Sequence, residues 1–196
     1  MRPKAQEGRN TLTSIDSKKL RGTTFAASMV AAFGLTLFAT SSAPAEGDAP
    51  PTKIKMVTDG GFTFTGPDSI AAGSILKIVN RTSFDSHFFS LFEKGSLPVT
   101  GKENRQCANL DLPACANVAK AHDISRRFKV RKRSVDTGMD GWDKSFSDEA
   151  KGDSWYTDSE NQSEARTVTA EPGTTLYYLC VIHPQTMSGS ISVTQP

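Results

Sequence analysis

The sequence predicts an all-β domain, an antiparallel sandwich or barrel. Short segments in which polar and apolar residues alternate recur after residue 52, and turns rich in Gly, Pro or Asp separate them. Only residues 112–122 are typical of a helix, and that helix is short. Many short strands with so little helix favour a sandwich or barrel over a mixed α/β fold.

A leader precedes the domain. Residues 1–45 carry six basic and two acidic residues, an apolar run at 25–39 and the triplet Ala-Pro-Ala at 43–45. This order is typical of an export signal cleaved before Glu46, which leaves a domain of residues 46–196 in the periplasm or another exported location. The alternative is an uncleaved N-terminal anchor, although the run has 15 residues, Ser28, Gly34 and Thr36 among them, and falls short of the roughly 20 apolar residues that span a bilayer.

Removal of the leader changes the sign of the net charge. The full chain has 23 basic and 21 acidic residues, for a net charge of +2. The leader takes six and two of these, so 17 basic and 19 acidic residues remain and the net charge becomes −2. Because nucleic-acid-binding domains are usually strongly basic, we expect no nucleic-acid partner.

The predicted strands fall into two blocks. They are residues 53–58, 62–64, 74–80 and 87–92 in the first block, and 167–169, 174–180 and 188–193 in the second. The first strand alternates through Ile54 and Met56, and residues 75–79 form the most apolar segment. Between the blocks, at about residues 95–165, the sequence predicts a long, partly irregular insertion before the last two strands.

A cluster of six Lys and Arg residues lies inside the insertion, at residues 126–133. Two interpretations stay open for it. The cluster docks an acidic partner protein by complementary charge, or it is a solvated loop or protected strand edge balanced by the acidic run after Asp140.

Three cysteines divide into a pair and a single residue. Cys107 and Cys115 are close enough in sequence to close a short disulfide loop in an oxidising compartment. Cys180 is left without a cysteine partner. An unpaired thiol in an exported protein therefore calls for another explanation.

The segment after the 174–180 strand supplies that explanation. Cys180, His183 and Met187 place a thiol, an imidazole and a thioether within eight residues. Thiolate and thioether suit Cu(I), imidazole suits both oxidation states, and two His, one Cys and a distant Met are typical of electron-transfer copper. Each residue alone is better explained by packing or hydrogen bonding, but their joint spacing favours a copper site.

The second imidazole must come from one of the other two histidines. His87 begins a predicted strand directly after the loop that follows the most apolar strand, whereas His122 lies in the polar insertion. Metal ligands are held best by rigid neighbouring elements, so His87 is favoured.

With these residues in place, the sequence resembles the cupredoxins, the small blue-copper proteins of the plastocyanin, pseudoazurin and amicyanin type. Two blocks carry the resemblance: residues 53–92, with Phe84 ahead of His87, and residues 172–193, with the Cys-x-x-His-x-x-x-Met loop. The resemblance implies an eight-stranded Greek-key β-sandwich and one type 1 copper ion. His87, Cys180 and His183 would be its strong ligands and Met187 its weak axial ligand.

The same resemblance implies a route for electrons through His183, with Ile182 and Pro184 in an apolar docking patch. Two positions depart from the family. Phe88 replaces an Asn that often follows the first His ligand, and Leu179 replaces the aromatic residue that precedes the ligand Cys in plastocyanins.

We therefore expect a monomeric, exported one-electron carrier. Its donor and acceptor would be redox proteins of the cytochrome or oxidoreductase type, and we expect no enzymatic activity and no stable membrane insertion once the signal is cleaved. The alternative is a copper storage or delivery protein that uses the same ligands.

Overall fold

The computed structural model describes residues 50–83, 85–124 and 137–196, which form a two-sheet β-sandwich with a helical insertion. The strands are β1 Thr52–Thr58, β2 Phe62–Thr65, β3 Ser69–Ala71, β4 Ile75–Asn80, β5 His87–Phe92, β6 Ser154–Thr157, β7 Ser163–Thr167, β8 Thr175–Leu179 and β9 Ser188–Thr194; the helices are α1 Gly101–Ala108 and α2 Pro113–Ala121. The predicted signal, residues 1–45, and the cation cluster, residues 126–133, lie outside the described residues, as does Phe84.

The first sheet has the strand order β2-β1-β4-β7. A turn through Gly60 and Gly61 joins β1 to its antiparallel neighbour β2, and both glycines have positive φ angles, +63° and +147°. Backbone of this kind favours glycine, which has no Cβ to clash. β4 runs parallel to β1 and antiparallel to β7.

The second sheet has the strand order β3-β9-β8-β5-β6. All its pairings are antiparallel except that between β3 and β9. The prediction of an all-β sandwich is confirmed. Two details differ: two strand pairs are parallel, and the described residues form nine strands where the resemblance implies eight.

Alternating side chains build the core between the sheets. Ile54 and Met56 of β1 are fully buried, whereas Lys55 between them is exposed. From the same sheet, the Phe64 ring lies 5.8 Å from that of Phe89 and 5.2 Å from that of Tyr178, both in the second sheet. Each large apolar side chain buried in this way contributes about 1.5–3 kcal/mol to stability.

Strand β5 is buried on both faces. Its six side chains are all buried, although a strand at a sandwich surface normally buries every second one. The insertion explains this difference: the Phe88 ring lies 5.2 Å from that of His122, and Phe92 contacts Phe146. The strand that begins with His87 is therefore held between the core and the insertion.

The insertion contains a helical hairpin closed by a disulfide. Cys107 of α1 is bonded to Cys115 of α2, as predicted. Thr100 and Glu103 form a reciprocal capping box at the start of α1. The helix predicted at 112–122 is α2, whereas α1 was not predicted. In the described part of the chain, no helix is long and apolar enough to cross a membrane.

Strand β6 and the first part of β7 lie inside the range predicted as insertion, 95–165. β6 pairs with β5, and β7 pairs with β4, so both belong to the sandwich. In β7 the buried position is Arg166, while Ala165 is exposed, which reverses the usual pattern. The Arg166 guanidinium donates to the carbonyl oxygens of Thr137, Gly138 and Ser154 and stacks over Trp142. These partners satisfy a charge that would otherwise be costly to bury.

Candidate metal centre

Adjacent strands bring His87 and Cys180 together. His87 is the first residue of β5, and Cys180 follows β8 directly. β5 and β8 are antiparallel neighbours, with Ser90 opposite Leu179, so the start of β5 lies beside the end of β8. The two residues thus meet at one end of the sandwich because of strand register.

The loop between β8 and β9, residues 180–187, folds back on itself. The His183 N–H donates to the Cys180 carbonyl at 3.1 Å, and the Met187 N–H donates to the His183 carbonyl at 2.9 Å. The Cys180 N–H donates to the Met187 carbonyl at 2.9 Å and closes the loop. Met187 is fully buried.

Donor atoms of His87, Cys180 and His183 all lie within 4.8 Å of one another. The Cys180 Sγ is 4.0 Å from the His87 Nδ1 and 3.9 Å from the His183 Nδ1. A first-row metal ion binds nitrogen at about 2.0 Å and sulfur at about 2.3 Å, and at trigonal angles these bonds separate N from S by about 3.8 Å. The three donors are therefore spaced as a shared metal ion requires.

Burial sets the protonation of these groups. It lowers the pKa of His87 to about 4, with the charge of His183 as a smaller cause, and it also lowers the pKa of His183. Both imidazoles are then neutral at pH 7 and keep a lone pair for a metal. Burial raises the pKa of the Cys180 thiol, against the 3.4 Å hydrogen bond that the Phe88 N–H donates to its sulfur. A cation at the site would reverse that effect, since metal coordination deprotonates a thiol.

Phe62 of β2 covers the two imidazoles from the opposite sheet. Its ring centroid lies 4.9 Å from that of His87 and 4.6 Å from that of His183. The His87 Nε2 lies 2.8 Å from the Thr82 Oγ1, so its Nδ1 is the nitrogen that faces Cys180. Sequence reasoning missed both Phe62 and Thr82 at this site. Thr82 precedes His87 by five residues, and a hydroxyl so close to a candidate ligand was the available signal.

A cleft of about 260 Å³ lies beside His183. Asn104, Arg105 and Ala108 of α1 line one side, and residues 182–186 line the other. Ile182 is half-buried, as is His183, but Pro184 is buried. The expectation that Pro184 adds to an exposed apolar patch is therefore wrong, because helix α1 stands next to this loop.

His122 lies outside the donor group. It is fully buried, and its ring contacts Phe88 and lies 6.4 Å from that of Tyr156. Among the described residues neither ring nitrogen has a hydrogen-bond partner. Burial, with a smaller effect of Arg166, lowers its pKa to about 4, so the ring is neutral at pH 7. His122 therefore packs in the insertion as a buried aromatic side chain.

Comparison with known proteins gives structural neighbours only. No protein-family model matches the chain, and no curated protein matches it. A copper-containing nitrite reductase from Thermus scotoductus is 18% identical with a TM-score of 0.37, over 75% of this chain and 23% of that one, so this chain spans about a quarter of it.

Two blue-copper proteins from photosynthetic bacteria are also similar. Auracyanin A from Chloroflexus aurantiacus is 17% identical with a TM-score of 0.36, over 74% of this chain and 100% of that one. The auracyanin from Roseiflexus castenholzii is 14% identical with a TM-score of 0.36, over 76% of this chain and 99% of that one.

The architecture and the donors lead to one description of the molecule. Two packed sheets, a helical insertion and neighbouring strands that bring imidazole and thiol together are all present in the described residues. The chain has a cupredoxin-like β-sandwich fold, and its grouped His, Cys and His donors fit one type 1 copper ion.

Proposed function

We propose that the protein binds one copper ion through His87, Cys180, His183 and Met187 and acts as an exported one-electron carrier. The observation that supports this most directly is the grouping of two imidazole nitrogens and one thiol sulfur within 4.8 Å at one end of the sandwich. In this proposal Met187 would be the fourth and weakest ligand, and bound copper would supply a Cu(II)/Cu(I) couple.

The donor set favours copper over the metals that accept similar ligands. A thiolate stabilises Cu(I), while neutral imidazoles bind both oxidation states. Structural zinc sites with sulfur usually have four strong ligands and no thioether. Little rearrangement is needed on electron transfer, because β5 is packed on both faces and the loop 180–187 is closed by its own hydrogen bonds.

Exposure supports a carrier rather than a delivery protein. Cys180 and Met187 are fully buried, so release of the ion to an acceptor would require the loop to open. His183 is half-exposed and offers an edge through which an electron can pass without such opening. The proposal includes no catalysis, since four protein ligands leave no open position for a substrate.

The redox partner, of the cytochrome or oxidoreductase type, would approach His183 at the cleft beside α1. Lys102 and Arg105 of α1 are exposed, and Arg105 lines the cleft. We therefore propose an acidic surface on the partner.

Export is supported by the Cys107–Cys115 disulfide, since such bonds persist in oxidising compartments.

The test is the visible spectrum of the purified protein after addition of Cu(II), with Cys180→Ser as the matched variant. We expect an intense thiolate-to-copper band that ascorbate bleaches, and we expect the variant to lack it because serine offers no thiolate. Circular dichroism of the apo proteins shows whether both are folded. A folded wild-type protein without this band would contradict the proposal.

A further inference from the structure

A chain of buried hydrogen bonds runs from His87 away from the proposed copper site. The His87 Nε2 lies 2.8 Å from the Thr82 Oγ1, and that oxygen lies 2.7 Å from the Asn80 Oδ1. The Asn80 amide nitrogen donates to the Thr157 Oγ1 at 3.2 Å, and Thr157 donates to the Gln162 Oε1 at 2.7 Å. His87, Thr82, Asn80 and Thr157 are all buried.

One backbone group fixes the direction of this chain. The Thr82 N–H donates to the Asn80 Oδ1 at 2.8 Å, and a backbone N–H can only donate. The side-chain amide of Asn80 must therefore present its oxygen to Thr82 and its nitrogen to Thr157. Rotation of the amide by 180° would place two donors against each other in a buried site, which costs about 1–3 kcal/mol.

The proton positions then follow in sequence. The Asn80 Oδ1 is only an acceptor, so the single Thr82 hydroxyl proton is committed to it. The Thr82 Oγ1 can receive a hydrogen bond from His87 but has no proton left to donate to it. The His87 Nε2 must therefore carry the proton. In the neutral ring this leaves the lone pair on Nδ1, the nitrogen 4.0 Å from the Cys180 Sγ.

We infer that Thr82 and Asn80 are positioning residues for the copper site: they hold His87 in the Nε2–H tautomer and aim its Nδ1 at the metal. This inference rests on the proposed function and adds residues that the ligand set does not contain. Partners of this kind orient metal-bound imidazoles, and their loss typically lowers metal affinity about 10- to 100-fold.

The hydrogen bond between Asn80 and Thr157 also ties the two sheets together at the site. Asn80 ends β4 in the first sheet, and Thr157 ends β6 in the second, next to His87 in the strand pairing. Asn80 also donates to the Ser159 carbonyl at 3.2 Å. The Asn80 amide therefore provides a polar connection at the site from the other sheet.

The experiment compares Thr82→Val with Thr82→Ser, which keeps the hydroxyl, and with Thr137→Val, which removes a hydroxyl bonded instead to Gly152. In the apo proteins, nitrogen-15 NMR of the histidine rings reports the tautomer. We expect a hydrogen-bonded Nε2–H signal from His87 in the wild-type protein, Thr82→Ser and Thr137→Val, and its loss in Thr82→Val. Copper affinity should fall about 10- to 100-fold only in Thr82→Val, with an altered copper hyperfine splitting.

Two results would overturn the inference: a His87 proton on Nδ1 in the wild-type apo protein, or wild-type copper affinity and hyperfine splitting in a folded Thr82→Val. If Thr82→Val does not fold, the tautomer of His87 measured in the wild-type protein and in Thr82→Ser tests the inference. A wild-type protein with the Nε2–H tautomer but no copper band would uphold the hydrogen-bond assignment and defeat the proposed function, so the two failures are distinguishable.

Discussion

Asp153, the residue before β6, is a buried carboxylate, and in the described part of the chain only one of its two oxygens has hydrogen-bond partners. Its Oδ2 accepts hydrogen bonds from the backbone N–H groups of Asp143 at 2.8 Å and Lys144 at 2.7 Å. Its Oδ1 is buried without a hydrogen-bond partner among the described residues. Burial raises the pKa of this carboxyl to about 6, although the two backbone hydrogen bonds act in the opposite direction.

The raised pKa of Asp153 predicts that ionisation of this carboxyl lowers the free energy of unfolding. Between about pH 4 and pH 6 the folded protein binds the Asp153 proton more tightly than the unfolded chain does, so its contribution to the free energy of unfolding falls as pH rises through that window. Asp153→Asn keeps an oxygen for both N–H groups and removes the charge. We expect the variant to gain stability relative to wild type as pH rises from 4 to 7, by about 3 kcal/mol at most.

Urea unfolding of both proteins between pH 4 and pH 7 measures this difference. The buried histidines contribute with the opposite sign, because their pKa values are lowered, but they are present in both proteins and cancel in the comparison. Asp148→Asn, at an exposed position, controls for the change in net charge. A stability difference that is constant over this pH range would contradict the prediction.

At the residue scale, spacing predicted that Cys180 and His183 lie together, but it did not predict their surroundings. The two residues are close because they are close in sequence. The choice of His87 over His122 needed an argument about rigidity, and the structure places His87, not His122, in the donor group. Phe62 could not be predicted, because it reaches the imidazoles from the other sheet and nothing local in the sequence encodes that contact.

At the scale of elements, the helical hairpin α1–α2 is stabilised by its disulfide rather than by its own length. The helices have eight and nine residues, fewer than an isolated helix needs. Cys107 and Cys115 are eight residues apart in sequence, and a disulfide that closes so short a loop stabilises by about 2–3 kcal/mol.

Replacement of both Cys107 and Cys115 by Ala should therefore lower the free energy of unfolding by about 2–3 kcal/mol. The thiolate-to-copper band should remain, because neither helix supplies a proposed ligand. Denaturant titration measures the first effect and the visible spectrum the second. Chemical reduction of the wild-type disulfide serves as the control and should give a similar loss of stability. Loss of the band in a folded double variant would contradict this division of roles.

Two of the elements that sequence reasoning missed, α1 and β7, show little apolar pattern. Helix α1 has only Cys107 fully buried, so it shows little apolar periodicity, although the capping pair Thr100 and Glu103 was visible in the sequence. In β7 the inward position is Arg166, which a hydrophobic pattern cannot mark. Among the predicted strands, β1 buries apolar side chains in alternation and β4 is a short apolar run, and these are the signals a single sequence carries best.

At the scale of the whole molecule, the charge on the α1 side of the cleft beside His183 differs in sign from the net charge predicted for residues 46–196. That domain carries a net charge of −2 if the leader is removed. Lys102 and Arg105 nevertheless stand on the helix beside the proposed electron route. We expect these two cations to steer an anionic reactant toward the α1 side of the cleft, although the Asp85 carboxylate acts on His183 with the opposite charge.

Arg105→Glu should therefore slow oxidation of the copper(I) protein by ferricyanide severalfold at low salt and speed oxidation by a cationic ruthenium ammine. Both effects should shrink at high salt, where charges are screened within about 3 Å. Stopped-flow absorbance at the copper band measures the rates. Lys53→Glu, at the start of β1, makes the same charge change elsewhere on the surface. Equal effects of the two variants on both oxidants would show that only net charge matters.

The buried amide of Asn80 has a consequence for how the protein can be made. Asn80-Arg81-Thr82 is an acceptor sequence for N-glycosylation, a modification that eukaryotic secretory pathways attach to accessible asparagines. In the folded protein this amide is fully buried and bonded to Thr157, so it is closed to the enzyme. A sugar attached before folding would occupy the space that the amide needs. Secretion from a eukaryotic host would therefore divide the chains into a folded, unmodified fraction and a glycosylated fraction unable to close the sandwich.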